Sequence, residues 1–167
     1  MTSPGEPAGE IVIRRVRADE SDQLLADVVA LVVRSKASWG YDETFMEHFG
    51  ASMVPGFLVG PRRVSLVASI AGTLVGVAVI DDEVSRAWLE DMWVEPEHFG
   101  HGVGRALWRA ALGVVLGWRR EALELESDPY AEGFYRAMGA RRIGSRESTL
   151  VAGRELPLLR FDVRGPG

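Results

Sequence analysis

The chain contains no cysteine, which excludes a disulfide framework, a thiolate metal site and a cysteine nucleophile. Lysine is nearly absent: Lys36 stands alone beside eighteen arginines. The Gly-Lys-Ser/Thr ending that a phosphate-binding P-loop requires is therefore missing. The three histidines, His48, His98 and His101, show no metal-ligand pattern, and no metal is expected. Apolar runs stay far below the roughly 18–20 residues of a membrane span. Residues 1–6 carry neither the basic start nor the apolar stretch of a secretory leader. A net charge of −5 speaks against a nucleic-acid footprint. The basic pairs Arg14-Arg15, Arg62-Arg63, Arg119-Arg120 and Arg141-Arg142 are interspersed with acids and read as solvated faces. These absences predict a cytoplasmic protein with neither nucleic acid nor membrane as partner.

What is present suits one globular domain. The 167 residues are 47% hydrophobic and 26% charged, enough for a single core. The domain is expected over residues 10–164, behind a flexible segment at 1–9 and ahead of a loose tail at 165–167. Residues 11–17 read as a strand. Over 19–36, Leu24, Leu25, Val28, Leu31 and Val32 recur at helical spacing and predict a helix with one buried face. Asp42 is placed to cap a short helix ending near His48. Residues 64–70 and 73–80 read as a hairpin turning at Ala71-Gly72, and 86–94 as a strand. A helix over 102–118, a strand at 122–126, a helix at 131–138 and a final pair at 141–150 and 155–163 complete the order. The strand–helix–strand crossover makes 86–94 and 122–126 parallel neighbours.

The densest local signal is Val94-Glu95-Pro96-Glu97-His98-Phe99-Gly100-His101-Gly102-Val103-Gly104-Arg105. A strand ends at a proline, three alternating glycines follow, and a helix opens. Such glycines leave the backbone free to approach a ligand, and the amides at a helix N-terminus attract an anion. A dinucleotide fingerprint fails, because its third glycine would fall on Arg105.

This run resembles the pyrophosphate-binding motif of the GNAT superfamily, the Gcn5-related N-acetyltransferases that use acetyl coenzyme A. That motif reads Arg or Gln, two residues, Gly, one residue, then Gly or Ala, after a Val-x-Pro strand end. Phe99 occupies the Arg/Gln position. A second block, residues 126–140, is similar to the family's Asn-x-x-Ala-x-x-Phe-Tyr segment, with Asp128 for Asn, Phe134-Tyr135 in register and Ala140 where Phe is usual. The likeness spans roughly residues 11–163. It implies an α+β fold with a mixed central sheet of about six to seven strands and about four flanking helices. Strands 86–94 and 122–126 would splay to admit the pantetheine arm. It also implies coenzyme A contacts from Met92, Trp93, Val94, Phe99, Gly100, His101, Gly102, Val103, Gly104, Arg105, Asp128, Phe134 and Tyr135.

The resemblance makes acetyl-CoA a co-substrate and predicts transfer of its acetyl group to a primary amine of a small molecule or peptide, by direct attack in a ternary complex. Such an amine must lose a proton before it attacks. Tyr135 falls on the family tyrosine that serves as general acid. For the base, strand alternation sets Glu90, Met92 and Val94 on one face and Leu89, Asp91 and Trp93 on the other. Glu90 is the expected base and substrate contact, with Asp91 and a water chain left open, and Asp42 and Glu43 as further acids for a cationic acceptor. Trp39 and Tyr41 either wall the acceptor pocket, offering aromatic faces to a cation, or close the core at a helix end. A non-catalytic acyl-CoA sensor is the alternative function, and a homodimer is left open.

Overall fold

The computed structural model describes residues 9–53 and 56–164. All but Gly9 of the expected flexible segment, and the tail at 165–167, lie outside the described residues. Seven strands form one sheet in the order β1-β2-β3-β4-β5-β7-β6. They are β1 (Ile11–Arg15), β2 (Arg63–Ile70), β3 (Thr73–Asp82), β4 (Ala87–Val94), β5 (Ala122–Glu126), β6 (Arg141–Glu147) and β7 (Glu155–Asp162). Four helices flank them: α1 (Ser21–Ala37), α2 (Glu43–Ala51), α3 (Val103–Gly117) and α4 (Glu132–Ala137). Every pairing is antiparallel except β4 with β5.

Both faces of the sheet are covered, which is why β2 and β3 read as near-continuous apolar runs and not as alternation. On one face Val103, Leu107, Ala111 and Val115 of α3 pack with Tyr135 of α4 against Ala78, Ile80 and Leu89. On the other, Val28, Leu31 and Val32 of α1 pack with Phe49 of α2 against Val67, Val77 and Val79. The hairpin turns at Ala71 (φ 49°) and Gly72 (φ 81°), the positive-φ pair that a tight two-residue turn demands. Asp42 caps α2, its carboxylate accepting from the Phe45 amide at 2.8 Å. The expected strand at 141–150 stops at Glu147, because the Ser148 hydroxyl accepts from the amides of Leu150 and Val151 and folds the chain into a turn.

Two features of β4 create the site. It pairs with β5 only at Ala87↔Leu123 and Trp88↔Glu124, and past those residues the parallel strands part. Opposite β3, register slips so that Val79 faces Asp91 and Ile80 faces Leu89. Glu90 is thus the extra residue of a β-bulge. The bulge corrects the simple alternation: Leu89 joins the α3 face with Met92 and Val94, while Trp93 packs on the α1 face.

Candidate active site

The glycine loop runs from the end of β4 into α3. Gly100 (φ 77°) and Gly102 (φ 88°) take left-handed conformations, and Gly102 is the N-cap of α3. Among the described residues, the amides of Gly100, Gly102, Val103, Gly104 and Arg105 donate to no protein acceptor. They form a concave row of donors at the positive end of a fifteen-residue helix, suited to a pyrophosphate. Gly104 has a second reason to lack a side chain: a Cβ there would lie 3.2 Å from the Phe134 ring. That close approach brings α3 and α4 together beside the loop.

Below the loop lies a cavity of about 650 Å³, where β4 and β5 part. Met92, Trp93 and Val94 line it from β4, and Phe99, Gly100, Gly102, Gly104 and Arg105 from the loop. Phe134, Tyr135 and Trp39 complete the expected residues found there. The donor row, the Arg105 side chain and an apolar channel beneath them fit the pyrophosphate and pantetheine of coenzyme A. Val103 contributes only its amide, since its side chain is fully buried under α3. His101 is exposed beside His98. Phe99 is exposed as well, so the missing Arg or Gln is replaced by a ring at the cavity edge and not by a core residue.

Tyr135 is buried on α4 against Trp108 and Phe134. Among the described residues its hydroxyl bonds to no protein group and is not sealed off, and Tyr135 lines the cavity. Burial, reinforced by the nearby Asp91 charge, pushes its titration well above the ordinary tyrosine value. Asp91 is pushed up to about 7 by burial and by Glu90, against the pull of a 2.7 Å hydrogen bond from Trp93 Nε1. Glu90, on the bulge, is exposed. Its carboxyl rises moderately, through local desolvation and the neighbouring Asp81.

The expected contacts Asp128 and Tyr41 lie beside this cavity in a cluster drawn from three separated segments, 36–41, 128–130 and 154. Asp128 Oδ2 accepts from Lys36 Nζ at 2.5 Å, from Tyr41 Oη at 2.7 Å and from Arg154 Nη2 at 3.3 Å. Its Oδ1 accepts from the Tyr130 amide at 2.9 Å, fixing the turn into α4. Burial opposes ionisation of Asp128, but the bonds from Lys36, Tyr41 and Tyr130 prevail and hold it below the usual carboxylate range. Burial lowers the Lys36 ammonium, with Asp128 acting against it. Burial and Asp128 together push the Tyr41 phenol up to about 12, so it stays neutral and donates. Lys36 Nζ lies 4.7–5.5 Å from the ring centres of Trp39, Tyr41, Phe45, Phe49 and Trp93. The cation that Trp39 and Tyr41 face is thus this lysine.

The sequence reading passed over Lys36 and Arg154, and also the cavity residues Ser35, His98 and Tyr130. A signal for Lys36 existed. It lies four residues beyond Val32 and eight beyond Val28, on the buried stripe of α1, where an unpaired lysine is costly. Nothing local marks Arg154, which reaches the site from the turn between β6 and β7. Among the described residues, no cluster of acids and histidines is placed to hold a metal, and no helix is long and apolar enough to cross a membrane.

The sheet is thus opened between its two parallel strands, with a glycine loop of free amides at the mouth. The profile of the Acetyltransferase (GNAT) family matches residues 29–140, and the chain belongs to that family. Among solved structures, a GCN5-related N-acetyltransferase from Rhodopseudomonas palustris shares the fold with a TM-score of 0.76 at 16% identity, covering 95% of this chain and 99% of that one. An aminoglycoside 6'-N-acetyltransferase complexed with coenzyme A gives 0.71 at 14% identity, covering 93% and 99%. A nourseothricin acetyltransferase is 30% identical over 62% of this chain and 66% of its own, with a TM-score of 0.57. No curated protein sequence matches.

Proposed function

We propose that the protein is an acetyl-CoA-dependent N-acetyltransferase that moves the acetyl group to a primary amine of a small molecule or peptide within a ternary complex, without a metal. Family membership and the coenzyme A complex of a structural neighbour support the co-substrate. The observation that carries catalysis is a proton-retaining Tyr135 on the cavity, its hydroxyl unbonded among the described residues, with Asp91, which holds the cavity-lining Trp93 and titrates near neutrality, close enough to act on it. A general base works best when its pKa lies near the operating pH.

The glycine-loop amides and Arg105 hold the pyrophosphate, and the unpaired backbone of β4 beyond Trp88 faces the acyl arm. Asp91 takes one proton from the incoming ammonium, freeing the nitrogen lone pair. Nitrogen bonds to the thioester carbonyl carbon as the carbon–sulfur bond breaks. Tyr135 gives its hydroxyl proton to the departing sulfur and recovers the second proton of the attacking nitrogen. This exchange avoids a lasting tyrosinate, which burial disfavours. The products are the amide, the free thiol and one proton, so the balance closes.

Asp91 takes the base role expected of Glu90 because Asp91 is the desolvated carboxyl, while Glu90 is turned out by the bulge. Thiol release from acetyl-CoA, measured against an amine panel, tests the reading. Tight coenzyme A binding with no thiol release for any amine would instead favour an acyl-CoA sensor.

A further inference from the structure

Resting on that acyl-transfer reading, we propose that the acceptor carries a carboxylate beside its amine, as α-amino acids do, and that Arg154, backed by Lys36, binds it. The reason is the charge count. Lys36 and Arg154 both address the same oxygen of Asp128, and Tyr41 between them is neutral. Among the described residues, neither cation pairs with any other carboxylate. Asp91 also acts on Lys36, so two cations face two carboxylates, and an incoming ammonium puts one positive charge in excess where Lys36 is only 7% exposed. A desolvated charge calls for a counter-ion.

Arg154 is shaped to receive one. Its Nη2 is engaged by Tyr41 and Asp128, whereas Nε and Nη1 have no partner among the described residues. Its side chain remains 20% accessible. The guanidinium carbon lies 4.8 Å from the ring centre of Tyr41 and 5.6 Å from that of Phe45, which limits its movement. A guanidinium held between these groups, with Nε and Nη1 still free to donate, can bind a carboxylate.

The position suits an acceptor. Tyr41 meets Tyr130 edge-on at 5.8 Å, and Trp39 stacks on Tyr130 at 6.0 Å. Trp39 and Tyr130 line the cavity. Trp39 also touches Trp93, whose indole holds Asp91. An acceptor spanning the Trp39–Tyr130 wall would present its amine towards Asp91 and its carboxylate towards Arg154. A purely cationic acceptor is disfavoured twice. It would bring positive charge with nothing of its own to offset it, and the ring faces that attract ammonium already surround Lys36.

The test pairs apolar and aromatic α-amino acids with their decarboxylated amines, beginning with L-phenylalanine and phenethylamine. Calorimetry on the coenzyme A-loaded protein gives Kd, and thiol release from acetyl-CoA gives KM. The carboxylate should improve both by at least about tenfold in one or more pairs. Arg154→Gln should erase that advantage, and Arg154→Lys, which keeps the charge without the fork, should restore part of it. The wild-type comparison stands even if Arg154→Gln fails to fold. No preference in any pair, or no amino acid binding at all, overturns the proposal while acyl transfer to other amines stands. A carboxylate preference in Kd without thiol release supports the binding site and overturns the acyl-transfer reading.

Discussion

The two walls of the cavity are built by opposite means. The glycine-loop wall is backbone: the amides of Gly100 and of Gly102 to Arg105, aimed by two left-handed glycines and the start of α3. The acceptor wall, beside the cavity, is side chain: Lys36 with Tyr41, Asp128, and Arg154 come from three segments and meet at the Asp128 carboxylate. A backbone site tolerates a change of side chain as long as φ and close packing survive, so Phe99 can stand where the family places Arg or Gln. A side-chain site has no such tolerance, because each member neutralises or desolvates another. The first wall suits a ligand common to a whole family, and the second suits one acceptor.

The largest expected effect is at the chemical centre between the walls. Tyr135→Phe keeps the ring and its packing on Trp108 and should lower kcat by about 10²–10⁴-fold with little change in KM for acetyl-CoA. A fully active but less stable variant would remove Tyr135 from the mechanism. Asp91→Asn should lower kcat/KM over a similar range. It should also abolish the acid limb of the pH profile, on which wild-type activity falls as pH drops through about 7 and the base becomes protonated. Glu90→Gln should keep that limb and change the rate by less than about threefold; the reverse pattern would return the base role to Glu90.

Next comes the backbone wall. Gly104→Val forces a side chain onto Phe134 and should weaken coenzyme A binding by about 10–100-fold in calorimetry. Unaltered affinity would mean that the loop does not hold the pyrophosphate.

Asp91 also predicts a stability effect. A carboxyl whose folded-state pKa is raised costs stability once pH exceeds the unfolded value near 3.9, and the cost is fully present above about 7. Asp91→Asn should therefore melt higher than wild type at pH 8, by on the order of 1–3 kcal/mol, with the gain vanishing towards pH 4. An equal gain at both pH values would point to packing instead of charge. The smallest effect belongs to Phe99→Arg. On an exposed position beside the loop it should leave coenzyme A affinity unchanged or raise it by about two- to fivefold, and a large loss would show that the ring is structural.

Legibility followed the same division. Elements and topology could be read because apolar period, turn residues and the glycine run are local. The hairpin at Ala71-Gly72, the Asp42 cap and the 86–94/122–126 crossover all lie within a few residues of their predicted places. The bulge at Glu90 was not legible, since it arises from register against β3 and not from β4 alone. Arg154 could not be found either, because its partners Tyr41 and Asp128 are 113 and 26 residues away. Lys36 was within reach, as a lysine on an apolar stripe. Asp128 was singled out from the motif as a coenzyme A contact, and its place as an ionic hub beside the cavity depends on partners that no motif names.

The solitary lysine has a practical use. Because Lys36 Nζ is enclosed by five rings and bonded to Asp128, an amine-reactive reagent can modify it only when the cluster opens. Labelling at this one side-chain amine would then clock the breathing of the acceptor wall against hydrogen exchange elsewhere. A ligand that closes the wall should slow that reaction, giving a chemical footprint of occupancy that needs no turnover.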